Sequence, residues 1–363
     1  MSDLPAPVLS PGPCPSPWGE PVAQARLKAH PEDFVVEEVL GFEPTGEGEH
    51  LWLWVEKRGM NTDAAARELA ARLDVSVALV SFSGMKDRQA LTRQWFSVHT
   101  PTTWLLDDAW LSTDHGDFRV LRALRGARKL RRGVHDANQF RITLRDVRGD
   151  VADIEARLNL LAAEGVANYF GPQRFGHGGR NIGQGLALLA SRRSGRARRR
   201  DNRENLWMSA IRSALFNQVL AERVRNKTWA SCLPGDILQL DGRSALFTPD
   251  VLDADIAPRL ARGEIHPTGP LPGDGAQVIS GEALALEQHI LAPWQATCDD
   301  LAALRIPAQR RALRLRLRSP QWQWTTPDTL VIEFALTAGA FATSVLQSLA
   351  VLEEGQLDAI SAE

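Results

Sequence analysis

Strand-like alternation is confined to the two ends of this chain, and that distribution limits its fold more than any other feature. Successive side chains of a strand point to opposite faces, so a period of two marks a half-buried strand. The pattern is clear at 33–40 and in "LWLWVEK" (51–57), where Leu51, Leu53 and Val55 share one face and Trp52, Trp54 and Glu56 the other. It returns in "RQWFSVH", "DFRVLRAL" and "NQFRITLRDV", and near the C-terminus in "RALRLRLR" (311–318) and "TLVIEFAL" (329–336). Between these strands, "NTDAAARELAARLDV" reads as a helix that Asn61 or Thr62 can cap, and 152–164 as an amphipathic helix. The middle is helical from about 182 to 226, with "LWMSAIRSALFNQVLAERV" its clearest stretch, followed by short strand-like pieces such as "PGDILQLDG" and "HPTGPLPG". The closing "AFATSVLQSLAVLEE" reads as a helix. A sheet domain interrupted by an insertion is therefore expected. No run of strand–helix–strand units supports a Rossmann sheet, there is no Walker motif, and "GHGGRNIGQG" (176–185) reads as a turn before a helix.

With 44% hydrophobic and 24% charged residues over 363 positions, the chain can bury a core and divide into two domains. No apolar stretch approaches the roughly 18 residues of a membrane span. Seven prolines in the first 22 residues read as a flexible lead-in. Cys14, Cys232 and Cys298 are scattered, and the eight histidines lack ligand spacing, so neither a disulfide framework nor a metal site is expected and a cytoplasmic setting fits. Nothing demands an oligomer or a partner protein, and a monomer is expected.

Net charge is −2, yet the cations are clustered. "RALRGARKLRR" (122–132) carries six, "RRSGRARRRDNR" (192–203) seven arginines, and 305–318 adds Arg305, Arg310, Arg311, Arg314, Arg316 and Arg318. In "RALRLRLR" the arginines fall on one strand face and the leucines on the other. Such faces suit phosphate, because the planar guanidinium donates in pairs and is weakly hydrated. Helices bearing carboxylates would cover the same arginines equally well.

"FSGMKDRQALTRQW" (82–95) holds the first candidate for chemistry, Asp87, set between Lys86 and Arg88. These neighbours are expected to keep it ionised near neutrality, as a nucleophile toward a sugar carbon or as a base. A surface turn accommodates the same pair. Gln89, Thr92 and Gln94 follow at close spacing. Phe34, Phe140 and Phe341 lie beside polar or small residues. Aromatic faces near basic grooves hold unstacked bases, although strand alternation sends Phe140 toward the core.

Together "LKAHPEDFVVEEV", "GEGEHLWLWVEKRGMNT", "FSGMKDRQALTRQW", "KLRRGVHDANQFRITLR", "GVANYFGPQRFG", "SALFNQVLAERV" and "GAFATSVL" resemble, in order and from about residue 26 to 350, the motifs of the TruD family of tRNA pseudouridine synthases. The resemblance implies an α+β fold: a mixed, largely antiparallel central sheet flanked by helices, with an inserted α/β domain. It implies a lead-in at 1–22, a discontinuous catalytic domain at 23–164 and 313–363, and an insertion at 165–312 that carries the arginine run 192–203. It implies tRNA as partner and isomerisation of a uridine, typically uridine-13 in the D arm, to pseudouridine without cofactor or metal. The family's essential aspartate falls on Asp87, and its substrate contacts on Phe34, Asn138 and Phe341. Its active-site aromatic falls on Phe140, and a basic residue that helps hold the site's charge on Lys28. Thr337 replaces a usual proline and Ala340 a usual serine, both beside Phe341. Two other readings stay open: a non-catalytic RNA-binding or tRNA-folding protein, and a glycosidase with Glu32 or Asp33 as its second carboxylate.

Overall fold

In the computed structural model of this chain, the structure describes residues 8–12, 14–100, 117–193, 202–249 and 254–354. The chain divides into two compact units, one of residues 21–158, 317–342 and 349–363, the other of 1–20, 159–316 and 343–348.

The first unit is built on a sheet of ten strands among the described residues. They include β1 (Ala23–Leu27), β2 (Phe34–Val39), β3 (His50–Arg58), β4 (Val80–Phe82), β5 (Leu91–His99), β6 (Phe118–Gly126) and β7 (Ala137–Arg148), with helix α1 (Thr62–Arg72) between β3 and β4. Strands Arg318–Thr326, Thr329–Thr337 and Ala350–Glu354 complete it. The central order is 318–326, 329–337, β7, β2, β5, β3, β6. Only the β2–β5 and β1–Ala350–Glu354 pairings are parallel, so the sheet is mixed and largely antiparallel.

The alternation of β3 sorts its side chains as expected. Leu51, Leu53 and Val55 are fully buried and pack with Phe96 and with Ala65 and Leu69 of α1. Trp52 and Trp54 face the other way, beside Trp95 of β5. Asn61 caps α1 by accepting a 2.8 Å hydrogen bond from the Ala64 amide.

Two expectations fail here, and one strand goes unanticipated. The closing segment is not one helix: Ala342–Gln347 is helical, and Ala350–Glu354 becomes a strand parallel to β1. That edge of β1 is otherwise open, and pairing overrides local helix propensity. The strand 318–326 was not legible as one; the Trp322 and Trp324 indoles donate to Glu155 at 2.7 and 3.0 Å. The segment 311–318 is not a single strand. It is shared among Gln309–Ala312, Arg314–Leu315 and Arg318–Thr326. Leu313 lies at the break, where its amide donates to Pro267 O at 2.8 Å and its carbonyl accepts from Asn168 at 2.8 Å.

The second unit holds the helices Arg180–Arg193 and Asn202–Arg225 and a four-stranded sheet in the order 246–247, 238–240, 265–271, 309–312. Three of the arginines of the 305–318 row are engaged internally. Arg310 is buried against Glu287, Arg311 bonds Asn168 and lies 4.2 Å over the Phe170 ring, and Arg314 donates to Leu260 O and His266 Nδ1. One helix carboxylate pairs with Arg310, while amide, carbonyl and ring contacts hold Arg311 and Arg314. Two of the sequence motifs meet in this unit, because the Asn217 amide brackets the Phe170 backbone with two 3.0 Å hydrogen bonds. The described part of the proline-rich lead-in packs on the same unit: Leu9 is buried, and the Trp18 indole donates to Gly165 O at 3.0 Å. Most of the arginine run 192–203 lies outside the described residues. No described helix is long and apolar enough to cross a membrane.

Candidate active site

Asp87 lies in the loop that reverses the chain from β4 to β5. That loop is tied down from every side. The Lys86 amide donates to Thr62 Oγ1 at 2.8 Å, and Thr62 Oγ1 to Gln94 Oε1 at 3.1 Å. Gln94 Nε2 returns a bond to Gly84 O at 3.1 Å. The Gln89 amide donates to Asp87 Oδ1 at 3.2 Å. Of the polar residues that follow Asp87, Gln94 therefore braces the loop, and Thr92 is buried beneath it.

The cations that meet Asp87 are not its sequence neighbours, contrary to expectation. Lys86 turns away and pairs with the buried Glu38 at 3.2 Å. Arg88 is exposed and donates to Gly59 O at 3.3 Å. Lys28 supplies the ion pair to the Asp87 carboxylate, and Lys57 donates to the Asp87 backbone carbonyl at 3.1 Å and to Met60 O at 2.6 Å. Lys28 stands just past the end of β1 at φ 58, a left-handed conformation that costs an L-residue about 1–2 kcal/mol. Its side chain is 4% exposed and that of Asp87 28%, so the open side of the pair is the carboxylate. Lys57 is fully buried, and burial pushes it down to about 8 against the opposing pull of Asp87.

Register brings the two aromatic candidates together, and both rings are buried, as strand alternation expects for Phe140. Phe34 lies opposite Ile142 and Val36 opposite Phe140, so both rings emerge on one face of the sheet. The Lys28 ammonium sits 4.6 Å from the Phe34 ring centre. Phe34 meets Phe140 edge-on at 6.0 Å, and Phe140 rests on Phe334 at 5.6 Å.

Asn138 pairs across the strands with Glu38, the partner of Lys86. Its Nδ2 lies 3.4 Å from His135 Nε2. Asn138 Oδ1 and His135 Nδ1 are buried with no hydrogen-bond partner among the described residues, an arrangement that leaves one amide oxygen and one ring nitrogen for another molecule or a water. Burial and the nearby Lys86 ammonium lower the His135 pKa and keep its ring neutral near pH 7. Phe341 is half-buried beyond the Thr337–Ala340 turn, which ends the strand paired with Ala137 and Asn138. Lys28, Phe34, Phe140 and Asp87 thus form one cluster, and Asn138 joins it through Glu38 and Lys86. Glu32 and Asp33, the possible second carboxylates, are engaged by Arg58 and Arg145.

Sequence reasoning missed Lys57, Glu38 and His135. For the first two a signal existed: extending the period of two puts Lys57 on the buried face of Leu51, Leu53 and Val55, and Glu38 on that of Phe34 and Val36. A charge on a buried face is rarely idle. His135 follows no periodic pattern.

A family model described as TruD, tRNA pseudouridine synthase D, matches residues 18–190 and 197–349. A tRNA pseudouridine synthase D of Pseudomonas putida is 45% identical over 342 residues, covering 94% of this chain and 95% of the relative. One from Methylococcus capsulatus is 43% identical over 332 residues, covering 91% and 92%. Among solved structures, a tRNA pseudouridine synthase D (TruD) from Methanosarcina mazei superposes with a TM-score of 0.67 over 90% of this chain and 93% of the other. At 22% identity that likeness is one of fold.

Proposed function

The chain belongs to the TruD family of tRNA pseudouridine synthases, a family of isomerases, and from that premise we propose that it converts uridine-13 in the D arm of tRNA to pseudouridine with Asp87 as the catalytic carboxylate. The uridine must leave its stack for a side chain to reach its ribose. Phe34, Phe140 and Phe341 would then wall the flipped nucleotide, and Asn138 would offer its amide to the base edge. Lys28 holds the carboxylate in place.

Two routes satisfy this arrangement. In the first, an Asp87 oxygen bonds C1′ as the C1′–N1 bond breaks, and its electron pair leaves with the uracil anion. The base turns, C5 bonds C1′, the carboxylate departs, C5 loses its proton and N1 gains one. In the second, Asp87 takes the C2′ proton, and a C1′=C2′ double bond forms as uracil leaves. After the turn C5 adds to C1′, a proton returns to C2′, C5 loses its proton and N1 gains one. Both routes balance without cofactor or metal, and both need the ionised carboxylate. A tRNA substrate and three free thiols suit the cytoplasm.

The observation that carries the reading is the pairing of a partly open Asp87 with a buried Lys28 beside the Phe34–Phe140 wall. The test is incubation with an unmodified tRNA transcript and mapping of pseudouridine by carbodiimide primer extension. A single new stop in the D arm, absent with Asp87→Ala, is expected. Turnover by that variant would remove Asp87 from the chemistry, and free uracil among the products would indicate a glycosidase instead.

A further inference from the structure

We propose that an aromatic hollow on the face of the sheet opposite Asp87 is a second nucleotide subsite, which takes an unpaired base of the substrate RNA; it rests on the tRNA reading above. The parity of β3 sets the two faces. Leu51, Leu53, Val55 and Lys57 serve the side of α1 and Asp87, so Trp52 and Trp54 serve the other. Trp54 is paired in register with Trp95, their rings 5.3 Å apart. Trp52 lies 6.0 Å from Trp95, and Phe42 meets Trp52 edge-on at 6.0 Å.

Two adjoining hollows open on this surface. One, of about 630 Å³, is lined by Trp54, Trp95, Phe42 and Arg122. The next, of about 790 Å³, is lined by Phe42, Trp52 and the segment 126–131. Both fall within the roughly 300–1,000 Å³ of small-ligand sites. Trp52 and Trp95 are nearly buried and act as the floor, whereas Phe42 is 46% exposed and Trp54 partly so. These two rings present the free aromatic surface.

The rim is cationic. The Arg122 guanidinium stands 6.0 Å over the Trp95 ring, and its one carboxylate neighbour here, Glu43, is 4.0 Å away and largely exposed. Arg128, Lys129 and Arg131 are exposed around the second hollow. Their backbone is fixed, because the Trp52 indole donates to Arg128 O at 3.0 Å and the Leu130 amide to Ser97 Oγ at 2.8 Å. This is the cation cluster that the Asp87 site does not use. An apolar peptide would explain the rings and leave the cations idle. A nucleotide uses both, its base on the rings and its phosphates on the rim.

The experiment compares full-length wild-type protein, Trp54→Leu, Trp54→Phe and Arg122→Ala with an unmodified tRNA transcript, measuring Kd across a salt series and kcat/KM. Trp54→Leu is expected to raise Kd and lower kcat/KM about tenfold, with the slope of log Kd against log salt unchanged. Trp54→Phe should keep most of the affinity. Arg122→Ala should weaken binding and reduce the slope by about one. If the wild type forms pseudouridine while Trp54→Leu binds like wild type, the subsite is overturned. So is it if Trp54→Phe loses as much as Trp54→Leu, which would mark lost packing rather than lost stacking. A wild type that binds tRNA but never converts it would overturn the tRNA-modifying reading on which the subsite depends.

Discussion

Lys28 and Lys57 reach Asp87 by different routes, and their surroundings give them different roles. Lys28 bonds the carboxylate itself. A hydrogen bond to a charged group contributes about 1.5–3 kcal/mol, so Lys28→Met should slow single-turnover pseudouridine formation about 10- to 100-fold. A rate within twofold of wild type would show that the carboxylate keeps its position unaided. Lys57 bonds only carbonyls and is fully buried, which pushes it down from 10.5 to about 8. The sign of the linkage follows. Between those two values the unfolded chain holds the lysine proton and the folded chain has released it, so the stability contributed by this group rises with pH across that window. Below about 8 the buried ammonium is destabilising, on the order of 3 kcal/mol by the same linkage. Lys57→Met abolishes that titration. The Tm difference between wild type and variant should therefore move in favour of wild type from pH 8 to pH 10.5. A difference that stays flat across that range would place the titration of Lys57 elsewhere.

At the scale of the element, the start of α1 divides two tasks between adjacent residues. Asn61 caps the helix, while Thr62, fully buried, receives the Lys86 amide and bonds Gln94. Asn61→Ala should cost about 1 kcal/mol of stability, the usual value of a lost cap, and show it in the denaturant midpoint. Thr62→Val keeps the shape but orphans the Lys86 N–H and Gln94 Oε1, so the Asp87 loop should loosen and turnover fall about tenfold at temperatures where the protein stays folded. Equal effects of the two changes on turnover would mean that the loop depends on the helix and not on Thr62. The sequence reading left either residue as the cap, since both types accept from a helix N-terminus. The rest of the fold divides along the same physical line. Strands 34–39, 50–58, 137–148 and 329–337 were legible because a buried face imposes a period of two. The same period misled at 311–318, where alternating arginines and leucines serve several short pieces, and Arg311 and Arg314 are engaged inside the protein. Asp87 was legible from its motif. Its ion pair with Lys28 was not, because it joins residues 59 positions apart, and no local pattern records such a meeting.

For the whole molecule, a net charge of −2 conceals cations with different fates. Arg310 is buried against Glu287, and Arg314 is spent on Leu260 O and His266. Breaking a buried pair strands the remaining charge, at a cost of about 3–5 kcal/mol. Arg310→Met should therefore lower Tm markedly and leave the salt dependence of tRNA binding unchanged in whatever protein stays folded. Arg128, Lys129 and Arg131 lie exposed, and their replacement should do the reverse. Each phosphate contact releases condensed counterions, so log Kd changes with log salt by roughly 0.7–0.9 per contact. If all three meet phosphate, the triple alanine variant should reduce that slope by about two to three with Tm nearly unchanged, read by filter binding between 50 and 200 mM salt. A slope insensitive to these three residues would remove the 122–132 cluster from the RNA-binding surface. A slope lowered by Arg310→Met at unchanged Tm would return the 305–318 row to it.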